Sequence, residues 1–218
     1  MSLKDLVYKL LKLALGLTVF SFGVYLTIIA DIGYAPWDSF SFGLAEYIPL
    51  NYGQIVTITC IIFVIIDLIM GEKIGFGTII DALYTGNCTQ FMYDHLKFGE
   101  CKNLIISLLV ISIGFFFMGL GQYLYMREGQ SCGPKDSFLV GLGKRFPKVR
   151  IGVIEFLILG TVLVFAFIFQ GPIGIGTVYA IIGMGTWMQI VFNIFKFDPR
   201  NVKQSGIVET IKEVKKNA

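Results

Sequence analysis

The sequence predicts an all-α, polytopic membrane protein: six transmembrane helices arranged as two inverted three-helix repeats, each with a short half-helix. Three observations predict it. The 218 residues are 55% hydrophobic and only 15% charged, with a mean hydropathy of +0.73; a soluble domain of this length needs more charged surface. Long runs with few or no charges recur along the chain. One pattern is also written twice: Pro36-Trp37-Asp38-Ser39-Phe40 with Gly43-Leu44 returns as Pro134-Lys135-Asp136-Ser137-Phe138 with Gly141-Leu142, 98 positions later.

The repeat extends on both sides. Gly16, Gly23, Tyr25 and Leu26 reappear as Gly114, Gly121, Tyr123 and Leu124 at the same offset. After one inserted residue, Gly53 matches Gly152, and Ile74-Gly75-Phe76-Gly77-Thr78 matches Ile173-Gly174-Ile175-Gly176-Thr177. Gly86 and Gln90 match Gly185 and Gln189. The units are residues 1–98, residues 99–197 and a polar, lysine-rich tail, 198–218.

The spans follow in order. Residues 10–30 carry only Lys12, residues 53–70 only Asp67, residues 104–126 no charge, residues 151–170 only Glu155, and residues 171–194 none. Residues 74–93 are weaker, with Asp81 and several polar side chains, and are assigned through their match to the last span. Each run is about 18–24 residues, enough to cross roughly 30 Å of hydrocarbon at about 1.5 Å per residue. The first is too long for a signal-peptide core and no small-x-small cleavage site follows it, so it reads as a retained helix.

Charge sets the orientation. With a cytoplasmic N-terminus, 16 of the 18 basic residues fall inside, and only Lys97 and Lys102 fall outside; both termini are therefore expected in the cytoplasm. Three spans per half is an odd number, so the second copy enters the membrane upside down, as in many secondary transporters.

After each proline of the repeated motif comes a helix-like stretch of about 12 residues, closed by Pro49 or Pro147. At roughly 18 Å it is too short to span and reads as a half-helix, re-entrant or interfacial. Asp38 and Asp136 sit at its positive end. One reading makes them N-caps; the other turns them toward a shared cavity, where they bind a proton or cation. Thr78 and Thr177 are expected to cap the helices opened by the second glycine motif. Asp81, Thr85 and Thr89 share a helix face, and Asp81 is replaced by Ala180 in the second half. The candidate substrate- and ion-binding residues are Asp38, Asp136 and Asp81, with Trp37, Asn87, Gln90 and Gln189 along the path. Asp67 and Glu155, near predicted helix ends, read as solvated. Ile207, Val208, Ile211 and Val214 share a face in the tail, which fits a short helix on the anionic inner leaflet as well as it fits disorder.

Cys60, Cys88, Cys101 and Cys132 show no CxxC or metal spacing, and His95 has no partner pattern. No catalytic set, cofactor, metal or nucleic-acid partner is expected. The partners are the lipid bilayer and a small solute, and a homodimer would enlarge the limited helix surface of so short a chain.

With Ala35-Pro36-Trp37-Asp38, Gly133-Pro134-Lys135-Asp136 and the Gly174-Ile175-Gly176-Thr177 turn in place, the chain resembles the YczE branch of the YczE/YyaS/YitT family of bacterial membrane proteins, over roughly residues 10–195. The resemblance implies a bacterial cytoplasmic-membrane protein with transport as the expected activity, and carries over no catalytic residues. The C-terminal soluble domain of many YitT-type members has no counterpart in this sequence. The leading expectation is a secondary transporter of a small solute, coupled to a proton or cation. The alternative is a non-transporting membrane partner or regulatory subunit, docking through the tail and the basic loop 144–150.

Overall fold

The computed structural model describes residues 2–96, 98–99, 101 and 103–216, the side chain of Arg200 aside. Lys97 and Lys102 lie outside the described residues. All regular structure among the described residues is helical: α1 Leu3–Ile29, α2 Pro36–Ala45, α3 Tyr52–Met70, α4 Phe76–His95, α5 Leu104–Met126, α6 Pro134–Arg145, α7 Ile151–Ile168, α8 Ile175–Ile194, a 3-10 turn at Pro199–Asn201 and α9 Ile207–Lys216.

Local chemistry sets the helix starts. Ser2 and Asp5 exchange side chain–backbone hydrogen bonds across the first turn of α1 (2.8 and 3.2 Å), and Asn51 and Gln54 do the same for α3 (3.0 and 2.9 Å). Each reciprocal pair satisfies two amides left open by the helix start. Gly71, at φ +76°, ends α3 in the left-handed conformation that glycine adopts without strain. Pro36 and Pro134 occupy first-turn positions of α2 and α6, where a missing N–H costs nothing. Thr78 and Thr177 accept the amides of Gly75 and Gly174 (3.3 and 3.1 Å) at the starts of α4 and α8.

Five of these helices, α1, α3, α5, α7 and α8, are long and apolar enough to cross a membrane. The expected sixth span, α4, has the length at 20 residues but not the apolarity. Part of its polar surface faces protein: Thr78 and Thr89 are fully buried, and Thr89 donates to the carbonyl of Ser21 (3.4 Å), whereas Asn87, Asp94 and His95 are exposed.

The centre of the molecule is the antiparallel crossing of α1 and α5. A Cβ on Gly16 would lie 2.7 Å from the Tyr125 nitrogen, and one on Gly23 would lie 2.6 Å from the Gly114 oxygen. Small residues are the means by which helices in lipid gain contact, since apolar side chains gain nothing by leaving the hydrocarbon. Tyr25, Leu17 and Phe115 are buried alongside. α4 packs on α1 and α8 on α5; α2 lies against α7, and α6 against α3. α3 packs along α4, where a Cβ on Gly53 would meet the Gly86 oxygen at 2.8 Å. α7 and α8 show no comparable packing, and Gly152, Gly160 and Gly185 face open space.

The tail is neither free nor simply laid on a leaflet. Ser205 donates to the Gly129 carbonyl and Ile207 to the Ile74 carbonyl (both 2.9 Å), and the Ser131 amide donates to Gln204 Oε1 (2.8 Å). Thr210 is fully buried. Lys73 pairs with Glu209 at 2.6 Å, so α9 straps the α3–α4 turn to the α5–α6 connection.

Two outcomes are expected. Gly23→Leu forces α1 and α5 apart and destabilises the fold by about 1–3 kcal/mol, whereas Gly160→Ala is neutral; thermal unfolding midpoints in detergent compare them. The Lys73 hydrogen bond holds the Glu209 carboxyl below its ordinary value. Its contribution to tail docking is therefore present above the unfolded-state value and lost as pH falls through the lowered one. Glu209→Gln removes it at any pH, and trypsin should then cut the tail a few-fold faster at pH 8, a modest change because the pair is exposed.

Candidate functional site

The N-termini of α2 and α6 converge on α3, α4 and α5 around a chamber of about 240 Å3. Pro36 and Pro134 start the two short helices, which puts Asp38 and Asp136 in their first turns. Neither aspartate caps its helix. The N-cap residues are Ala35 and Gly133, which make no side-chain cap, and the carboxylates turn instead to tyrosines. Tyr52 Oη of α3 donates to Asp38 Oδ1 (2.8 Å), and Tyr125 Oη of α5 donates to Asp136 Oδ2 (3.4 Å). An aromatic hydroxyl on a neighbouring helix takes the place of a local amide here. Ser39 is used locally: its Oγ donates to the carbonyls of Tyr34 (3.0 Å) and Pro172 (2.9 Å), tying α2 to the segment before α8.

Asp81 enters the same chamber from α4. Thr85, one turn on, donates to its Oδ1. Its Oδ2 lies 2.5 Å from where a Cβ on Gly133 would stand, and Asp136 Oδ2 lies 3.7 Å from the same point. A side chain at Gly133 would thus crowd the Asp81 carboxylate. At the matching positions of the other half stand Ala35 and Ala180, so the aspartate and the glycine come as a pair.

Lys135 is the chamber's lysine. Its ammonium lies 4.7 Å from the ring centroid of Trp37, a cation–π contact between residues at equivalent repeat positions. Phe63 meets Trp37 edge-on at 5.3 Å. Trp37 also lines a second cavity, an apolar groove of about 690 Å3 between α2, α3, α6 and α7. Phe63 and Phe138 line its inner part, and Thr59 and Thr161 carry its polar side chains. Glu155, which is exposed, and Gln122 complete the polar rim of the chamber.

Of the residues singled out from sequence, Asp38, Asp81, Asp136 and Trp37 meet in this chamber. Asn87, Gln90 and Gln189 lie elsewhere. Asn87 donates to Thr57 (3.0 Å) and Gln90 accepts the Gly53 amide (3.2 Å), both across the α3–α4 contact. Gln189 bonds Asn193 on the exposed side of α8 (2.9 Å). Asp67 corrects the expectation of a solvated helix end: it is fully buried, and neither oxygen has a hydrogen-bond partner among the described residues. After the turn at Gly71, Glu72 meets Lys144 of α6 at 2.5 Å, while Leu68 and Ile69 at the end of α3 stay exposed. Lys135, Tyr52 and Tyr125 were missed as site residues. The signal for Lys135 was its place in the repeated motif, where the first copy has tryptophan. Tyr52 and Tyr125 carried no signal, because their repeat partners are Ile151 and Thr27.

Apolar helices of spanning length around a buried cluster of carboxylates define a multi-pass membrane protein. The chain belongs to the family of unknown function DUF6198, whose model matches residues 7–193. It is 30% identical to the uncharacterized protein YyaS of Bacillus subtilis, over 79% of this chain and 87% of that one. It is 28% identical to the uncharacterized membrane protein YczE of the same organism, over 78% and 79%. An uncharacterized protein of Haemophilus influenzae is 26% identical over 86% and 85%. No solved structure matches the chain.

The Asp81–Gly133 fit yields a coupled prediction. Gly133→Ala should displace the Asp81 carboxylate at a cost of no more than about 1 kcal/mol, because the crowded atom is the tip of a side chain and not backbone, and Asp81→Ala in the same chain should remove most of that cost. A double-mutant cycle on thermal or denaturant unfolding reads the coupling, about 0.5–3 kcal/mol for residues in contact.

Proposed function

We propose that the protein is a small secondary transporter of the bacterial cytoplasmic membrane, with α1, α3, α4, α5, α7 and α8 as six spans in two inverted halves and both termini in the cytoplasm. It moves a small solute through the chamber between α2 and α6, coupled to a proton or cation held by Asp38, Asp81 and Asp136.

Reciprocal contacts support the inversion. Gly16 meets Gly121 and Gly23 meets Gly114; adding 98 to the first residue of one pair and subtracting it from the second gives the other. Gly77 donates to the Gln130 carbonyl (2.8 Å), and its counterpart Gly176 donates to the Ile32 carbonyl (2.7 Å). α2 lies on α7 as α6 lies on α3. α1 and α5 occupy the same place in each half and run antiparallel, the relation an inverted second half calls for. Carboxylates at membrane depth are costly and mark ion or proton paths.

One observation carries the transport reading: equivalent surfaces are used differently in the two halves. Gly53 of α3 is closed on Gly86 of α4, while Gly152 of α7 and Gly185 of α8 are open. A single packing with one closed and one open copy is what alternating access requires, since the other state exchanges them. The partner-protein reading is weaker because the inner face of the tail is spent on this chain's own loops.

The test is a cross-link. In a background without the four native cysteines, Gly152→Cys with Gly185→Cys should cross-link in membrane vesicles, at a rate that changes several-fold when a proton gradient is imposed. Linked protein should be inactive in solute uptake. A pair that never cross-links, with or without a gradient, contradicts the proposal.

A further inference from the structure

The transport reading leaves the solute's chemistry open, and the two cavities narrow it. They meet at one side chain, Trp37. On one side lie three aspartates, with Glu155 at the rim, against one amine, Lys135. On the other lies a groove whose volume is in the range of drug-sized sites, about 300–1,000 Å3. A cation already rests on the Trp37 ring, in the form of the tethered Lys135 ammonium. This is independent of the carboxylate count and points the same way: the aromatic face accepts positive charge. Exposed Ile62, Leu157 and Phe165 lie along the groove's outer side, so an apolar body can enter from the lipid.

We infer that the chamber and groove together bind an amphipathic organic cation, its charged centre beside Trp37 and the aspartates, and its apolar body among Phe63 and Phe138. Charge complementarity selects this occupant over an anion. The excess of carboxylates favours positive charge, and Lys135 acts as an internal competitor that the ligand displaces. A lipid chain would fill the groove but leave the chamber unused. The same carboxylates can hold protons when the ligand is absent, which makes exchange of cation for proton the natural mode of coupling. The inference rests on the transporter reading for its meaning, but the binding it asserts can be tested without transport.

The chain has two tryptophans, so Trp187→Phe leaves Trp37 as the only indole reporter. Purified protein with this substitution is titrated with tetraphenylphosphonium, with tetraphenylborate and with tetramethylammonium. The phosphonium should give a saturable change in Trp37 emission, and neither of the others should at the same concentration. Lys135→Met should tighten phosphonium binding several-fold, and Asp136→Asn or Asp81→Asn should weaken it roughly tenfold, the loss of about one charged contact. Because the lysine and aspartate variants are expected to move in opposite directions, a fold lost in one leaves the other decisive.

Saturable borate binding that Lys135→Met abolishes would overturn the inference in favour of an anion. A linear, non-saturating phosphonium signal would reduce the groove to a lipid-filled crevice and overturn it as well. Saturable binding without uptake into proteoliposomes would support the ligand class while removing transport. Uptake of another solute, unaffected by excess phosphonium, would remove the ligand class and leave transport standing.

Discussion

The structure depends on how closely the backbones of α1 and α5 approach. In lipid there is no hydrophobic force between apolar helices, and what holds them is contact between surfaces that fit. Gly16, Gly23, Gly114 and Gly121 supply that fit in pairs, and a methyl group at Gly16, Gly23 or Gly114 would lie within 2.6–2.8 Å of a backbone atom of the other helix. α4 and α8 flank this crossing, and α2 and α6 reach across to the opposite half. The two short helices start at the chamber, and the proline that opens each one places its first turn there.

Inside that frame the charged groups are arranged rather than scattered. Each of the three aspartates accepts from a hydroxyl of a partner chosen outside the repeat: Tyr52, Tyr125 and Thr85. The repeat provides the scaffold, and the hydroxyl partners of the aspartates are departures from it. Trp37 and Lys135 hold equivalent positions yet meet as ring and cation. Asp81 with Gly133 stands where the other half has Ala180 with Ala35. A strictly symmetric pair of halves would lack both features.

The chain's class and its short helices were legible because they are written in run length and spacing. The weakness of α4 as a span was legible too, but its cause was not: Asn87, Gln90 and Thr89 spend their polar groups on α3 and α1, which composition cannot distinguish from solvation. For Asp38 and Asp136 the sequence left cap and cavity both open, because a first-turn acid is equally suited to a helix start, and only the neighbouring tyrosines decide. Asp67 misled because it lies on a face of α3 that is buried in the fold, although the neighbouring Leu68 and Ile69 are exposed, and run length and charge spacing carry no sign of that. Lys135 was counted for topology alone, although its position in the motif already set it apart.

The central claim is that the two halves enter the bilayer in opposite senses, and sidedness of the short helices tests it most directly. Single cysteines replace Glu46, just after α2, and Lys148, just after α6; both positions are exposed. A membrane-impermeant maleimide applied to intact cells should label the cysteine at 46 at once and the one at 148 only after permeabilisation. Labelling of both from the same side would contradict the account.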